Sequence, residues 1–126
     1  MFINNELARL LINKCKAKNY KLSIAESCTG GLISSVITSV PGSSDIFDCS
    51  FITYSNRSKK KFLNVSENNL NLFGAVSKEV VIDMINGLKK NTDSDVLLAI
   101  SGVAGPGGGT INKPEGLVWI SYALKN

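Results

Sequence analysis

Ser27, Cys28 and Thr29 stand in a row directly before Gly30 and Gly31, and the apolar run Leu22-Ser23-Ile24-Ala25 leads into them. Leu32 to Val40 then reads as a helix, so three reactive side chains fall at a strand-to-helix turn. The first backbone N–H groups of a helix have no intrahelical partners and lie at the positive end of its dipole. They suit an anion or a developing oxyanion, and the two glycines let a ligand approach the backbone closely. A sharp turn of this kind presents a nucleophilic serine in other hydrolases, although G-x-S-x-G is not the pattern here. The plainer reading is a capped helix with Ser27 or Thr29 at the N-cap.

The chain contains no histidine. A Ser-His-Asp triad, a Cys-His pair and a histidine metal site are therefore excluded within it. If Ser27 is a nucleophile, its proton must pass to a lysine, a tyrosine or a carboxylate. Cys28 is the competing nucleophile, although a small, buried apolar residue is its commoner role. Glu26 either pairs with a lysine or anchors the turn, and the sequence leaves both open.

One lysine is placed to serve as base. Ser55 to Leu63 reads as a short helix capped by Ser55 or Asn56, which puts Lys59 in the first turn. The helix dipole and the neighbouring Lys60 and Lys61 both disfavour an ammonium there. An ordinary lysine titrates near ~10.4 and must be lowered by several units, with help from burial, to act as a neutral base. Lys60 and Lys61 are expected in solvent.

Two further stretches are candidate ligand contacts. Ser43 and Ser44 follow Val40-Pro41-Gly42, a stop signal for the preceding helix, and a serine-rich turn is the plainer reading of them. Ser101 to Thr110 holds five of the chain's eleven glycines and follows the apolar run Val96 to Ile100. It matches neither the Walker pattern nor a dinucleotide fingerprint. Even so, a glycine-rich loop at the C-terminal end of a buried strand is where open α/β sheets usually bind ligands.

Behind these motifs stands an alternation of helices and strands. Asn5 to Lys16 places Leu7, Leu10, Leu11 and Cys15 on one helical stripe. Lys21 to Ala25 is the first strand and Cys49 to Tyr54, rich in β-formers, the second. Glu67 to Phe73 is a short helix closed by Gly74. Ser77 caps a stronger helix with Val80, Val81, Met84, Ile85 and Leu88 on one face. Val96 to Ile100 is a strand buried on both faces, and Gly116 to Leu124 is the last strand. This order predicts one three-layer α/β/α sandwich with a largely parallel, mixed sheet, and the three polar loops after strands one to three could meet at one edge.

Composition agrees with a single soluble domain over residues 1–126: 44% hydrophobic, 19% charged and a net charge of +4. The positive balance fits anionic ligands better than nucleic acid, because no aromatic stacking platform accompanies the lysines. Three cysteines without C-x-x-C spacing read as free thiols in a reducing cytosol. Met1 to Lys18 mixes Asn4, Glu6, Arg9 and Lys14 into its apolar residues and is neither a signal peptide nor a membrane span, so a cytoplasmic protein is expected.

Ala25-Glu26-Ser27-Cys28-Thr29-Gly30-Gly31, Val40-Pro41-Gly42-Ser43-Ser44, Thr53-Tyr54-Ser55-Asn56, Phe73-Gly74-Ala75-Val76-Ser77 and Ser101-Gly102-Val103-Ala104-Gly105-Pro106 with Gly108-Gly109 stand in a telling order and spacing. From about Ser23 to Trp119 the chain resembles the CinA C-terminal domain family, which includes the stand-alone PncC amidases. The resemblance implies hydrolysis of the amide of nicotinamide mononucleotide to nicotinate mononucleotide and ammonia, in pyridine nucleotide recycling, without metal or cofactor. It implies Ser27 as nucleophile, Lys59 as base, Tyr54 as the active-site tyrosine, and oxyanion contacts from backbone N–H groups near Thr29, Gly30 and Gly31. Ser43, Ser44, Asn56, Gly105, Gly107 and Gly108 are the candidate substrate contacts. Family members usually continue past the strand holding Trp119 with another strand and a basic closing helix. The chain is thus expected to be shortened at its C-terminus, as a fragment, a naturally shortened protein or an oligomer that covers the gap with a neighbour, and a homo-oligomer is expected. A noncatalytic nucleotide-binding module is the alternative function.

Overall fold

The computed structural model describes residues 5–125. Residues 1–4, the start of the N-terminal segment discussed above, and residue 126 lie outside that range. The elements are α1 (Asn5–Lys18), β1 (Leu22–Glu26), α2 (Leu32–Thr38), a 3-10 turn (Ser43–Asp45), β2 (Phe47–Ile52), α3 (Asn56–Leu63), α4 (Glu67–Phe73), α5 (Lys78–Asn91), β3 (Val96–Gly102) and β4 (Val118–Leu124).

The strands lie in the order β2-β1-β3-β4. β1 pairs in parallel with β2 and β3, and β4 closes antiparallel on β3. Alternation along the strands splits the core into two layers. Leu22 and Ile24 face α1 and α2 with Ile12, Cys15, Ile37 and Ile46. Ala25, Leu97 and Ala99 face α3 to α5 with Leu63, Val80, Met84 and Leu88. The expected mixed three-layer sandwich is the observed one.

Three serines start the helices on that second face. Ser55, Ser66 and Ser77 each accept the N–H of the residue three positions on, Ser58, Asn69 and Val80, satisfying a donor that the helix leaves free. The α5 stripe read from the sequence is buried as expected. The α1 stripe is buried only in part: Cys15 is in the core and Leu11 packs against it. Leu7 and Leu10 are 63% and 51% exposed, and Ala8 and Ile12 join Cys15 at the core in their place. Both sets have helical spacing, and the small methyl of Ala8 permits the closer approach of α1 to the sheet.

β4 is an edge strand. One of its faces carries Val118, Ile120, Tyr122 and Leu124, all exposed. Among the described residues no helix is long and apolar enough to cross a membrane.

Candidate active site

Parallel pairing brings Ser27 and Thr53, each the residue after its strand, to the same sheet edge. The ladder continues past the strand ends: Thr53 N–H donates to Glu26 O at 2.9 Å and Ser27 N–H to Ile100 O at 3.0 Å. Ser27 follows Ala25 in the alternation and so faces α3 and α5.

From that face α3 delivers Lys59. Its Nζ lies 2.8 Å from Ser27 Oγ, 2.9 Å from Thr53 O and 3.1 Å from Tyr54 O. Lys59 is 1% exposed and Ser27 6%. Burial lowers the lysine from its ordinary 10.5 to about 8, against a smaller upward pull from the Cys28 thiolate. Desolvation thus does most of what the sequence assigned to the dipole and neighbouring charges. Near neutrality an appreciable fraction of such a group is neutral amine. In the structure Nζ donates to all three oxygens; once neutral, it keeps two N–H groups for the carbonyls and has a lone pair free to accept the Ser27 hydroxyl. The arrangement is a serine with a resident base.

Glu26, fully buried, settles the question left open by the sequence: it anchors the turn. Its Oε1 accepts Thr29 Oγ1 at 2.6 Å, Gly31 N–H at 3.2 Å and Ile33 N–H at 3.0 Å. Its Oε2 accepts Ser34 N–H at 2.9 Å and Ser34 Oγ at 2.6 Å. Burial by itself raises this carboxyl. The hydrogen bonds from Ser34, Thr29 and Ile33 outweigh it, and the net shift is downward. The cap of α2 is therefore a carboxylate from the preceding strand, not Ser27 or Thr29, and the N-cap residue is Gly31.

Two of the three expected oxyanion donors, Gly30 and Gly31, are already engaged. Gly31 N–H is taken by Glu26, and Gly30 N–H donates to Ser27 O at 3.0 Å. The Thr29 hydroxyl is also committed to Glu26. The backbone N–H groups of Cys28 and Thr29 remain, on the two residues directly after Ser27, and both favour the Cys28 thiolate. That thiol is raised by burial, more than these N–H groups and Lys59 lower it, which disfavours its thiolate.

Tyr54 contributes its carbonyl to Lys59, while its side chain is 70% exposed on the rim. Among the described residues its phenol makes no hydrogen bond to Ser27 or Lys59. Asn56 opens α3 at the same rim and is exposed.

Ser43 and Ser44 are not near this edge. They precede β2, whose start pairs with the start of β1, so the strands separate them from Ser27. Ser43 is buried with its Oγ donating to Thr38 O at 3.4 Å, a turn contact.

The glycine-rich loop does lie at the Ser27 edge, but it folds around Glu115. Gly107 N–H donates to Glu115 Oε1 at 2.7 Å, and a Cβ at Gly105 would meet the same carboxylate. A phosphate held by Gly105 and Gly107 would face that charge, so those two positions lose their expected role. A Cβ at Gly108 would meet nothing within 4 Å. Sequence reading passed over Glu115, whose only signal was an acidic side chain within a glycine-rich loop.

Beside the loop, a groove of about 480 Å³ is lined by Phe73, Lys78, Lys113 and Trp119 among others. Trp119 pairs with Ser101, which pairs by continued register with Ser27, so Trp119 stands level with the nucleophile, two strands away on the same face.

Residues 4–126 match the model of the CinA C-terminal domain. A CinA-like protein of Thermotoga neapolitana is 44% identical over 123 residues, which are 98% of this chain and 30% of that protein. The chain spans about three-tenths of the length of such relatives. The nicotinamide-nucleotide amidohydrolase PncC of Enterobacter agglomerans is 49% identical over 111 residues, 88% of this chain and 68% of that one. The crystal structure of the competence/damage inducible protein CihA from Agrobacterium tumefaciens superposes with a TM-score of 0.94 at 40% identity, covering 97% of this chain and 74% of that one.

Proposed function

The chain belongs to the CinA C-terminal domain family, and from that premise we propose that it hydrolyses the carboxamide of nicotinamide mononucleotide, giving nicotinate mononucleotide and ammonia. The observation that carries this reading is the buried Lys59–Ser27 contact of 2.8 Å. It supplies a nucleophile and base in a chain without histidine.

Neutral Lys59 takes the Ser27 proton as Oγ bonds to the carboxamide carbon. The N–H groups of Cys28 and Thr29 receive the oxyanion; one such donor is typically worth roughly 100- to 1000-fold in rate. Lys59 returns the proton to the departing nitrogen, the C–N bond breaks and ammonia leaves. Water then attacks the Ser27 ester with Lys59 again as base, and Ser27 recovers its proton as nicotinate mononucleotide is released. Tyr54 offers an exposed ring to the pyridine. The groove with Trp119, Lys78 and Lys113 takes the sugar phosphate, with cationic side chains for the anion.

A noncatalytic nucleotide-binding module would have no use for a buried, uncompensated lysine against a serine, so the intact pair favours the enzyme. Chromatography of nicotinamide mononucleotide incubated with the protein, with ammonia measured in parallel, tests the reading. Equal amounts of nicotinate mononucleotide and ammonia support it, and binding without conversion refutes it.

A further inference from the structure

The two lysines that line the groove are held differently. Lys78 opens α5 and is exposed, and no hydrogen bond or ion pair among the described residues fixes its ammonium. Lys113 is half-buried, and its Nζ donates to Phe73 O, the last carbonyl of α4. Its backbone is fixed as well. Thr110 N–H donates to Lys113 O at 2.8 Å and Lys113 N–H to Thr110 Oγ1 at 3.0 Å, which closes a tight turn at the end of the glycine-rich loop. The approach to Phe73 O depends on Gly74: a Cβ there would stand 2.8 Å from Lys113 Nζ, and the φ of +76° suits glycine. The Phe73-Gly74 pair of the sequence motif thereby makes room for a cation.

A carbonyl is an incomplete partner for an ammonium. It takes one of three N–H donors, and neither ion pair among the described residues involves Lys113, so two donors and the charge itself stay unmatched. Ordering a long, flexible side chain opposes binding, and here the side chain is ordered before a ligand arrives. The groove it lines is apolar at Phe73, Leu117 and Trp119 and carries the carboxylate of Glu79, so an anion is favoured there only beside a cation that offsets both. Trp119 stands two strand spacings from Ser27, about 10 Å, which is the reach of a pyridine ring and its ribose. A carboxamide at Ser27 leaves the phosphate at the groove.

We infer that Lys113, set in place by Phe73 O and Gly74, is the residue by which the site selects a phosphorylated nucleotide over the corresponding nucleoside. The inference rests on the reading above for the seat of the sugar phosphate. It separates the two lysines named there: the fixed one discriminates, and exposed Lys78 adds general attraction for anions.

Titration calorimetry on the Ser27→Ala protein, in which turnover is removed, tests this with nicotinamide mononucleotide and nicotinamide riboside as the two ligands. Adding Lys113→Met should weaken the mononucleotide by about 10- to 100-fold, the scale of one charge-assisted hydrogen bond, and the riboside by far less. The preference for the phosphorylated ligand then falls by about the same factor. Lys78→Met should cost less of that preference, and Gly74→Ala, whose Cβ displaces the ammonium, should lower it in the same direction as Lys113→Met. An unchanged preference in Lys113→Met, whether from no loss or from equal losses on both ligands, overturns the inference. So does a larger loss of preference in Lys78→Met, or a Ser27→Ala protein that binds the two ligands equally or binds no mononucleotide. Each of these outcomes is compatible with ammonia release by the wild type. Binding as described here, with a wild type that releases no ammonia, overturns the amidase reading alone.

Discussion

Lys59 Nζ lies 2.8 Å from Ser27 Oγ, buried, and neither ion pair among the described residues involves it. Its proton affinity is therefore set mainly by desolvation, which lowers it to about 8. Since the neutral amine is the base, kcat/KM for amide hydrolysis should rise with pH and level off above about 8. A pH series of initial rates checks this, and a profile flat across about pH 6 to 9 would contradict it.

The same burial has a consequence for stability. Below about 8 Lys59 is protonated folded and unfolded, and the folded state bears the full penalty of a buried ammonium. Between about 8 and 10.5 the folded state releases its proton first, so stability gains as pH rises, by about 3 kcal/mol in the limit. Lys59→Met should accordingly abolish hydrolysis while leaving the protein as stable as the wild type or about 1–2 kcal/mol more stable at neutral pH. Urea unfolding at neutral and at alkaline pH measures both effects; a large loss of stability in Lys59→Met would oppose them.

Glu26 has the opposite linkage. Its carboxyl is lowered in the folded state, so its contribution is present above the unfolded value near 4.5 and is lost as pH falls through the folded value. Five donors converge on two carboxylate oxygens. An amide nitrogen placed among them can accept none, and Glu26→Gln should cost about 2–4 kcal/mol at neutral pH. Denaturation curves in neutral and acid buffer should show the gap between variant and wild type narrowing in acid.

The legible part of this site was the part written as adjacent or regularly spaced residues. Ser27 at the turn, Lys59 four residues after its capping serine, and the α5 stripe all follow from local pattern. Ser43 and Ser44 were misplaced because a turn motif does not reveal its sheet edge; only the parallel β1–β2 register puts it opposite Ser27. Two of the expected oxyanion donors are lost because Glu26 takes the Gly31 N–H and Ser27 O the Gly30 N–H. Thr53 read as one more β-former, and only the fold brings its carbonyl to Lys59.

Packing behind α3 also bears on chemistry. A Cβ at Gly87 on α5 would stand 2.7 Å from Leu63 Cα at the end of α3. Backbone there cannot yield without moving the helix that carries Lys59. Gly87→Ala should therefore destabilise by about 1–3 kcal/mol and lower kcat as well, even where the protein is fully folded. Activity assayed well below the melting temperature separates the two effects, and normal kcat in a destabilised variant would show that α3 keeps its place.

Ammonia release from nicotinamide mononucleotide by the wild type, Ser27→Ala and Cys28→Ala, side by side, tests the central claim most directly. The account predicts turnover by the wild type, a loss of at least about 1000-fold in Ser27→Ala, and activity within about threefold of wild type in Cys28→Ala. Turnover that survives Ser27→Ala but disappears in Cys28→Ala would transfer the nucleophile to the thiol. A folded wild type that binds the nucleotide and releases no ammonia would contradict the amidase itself.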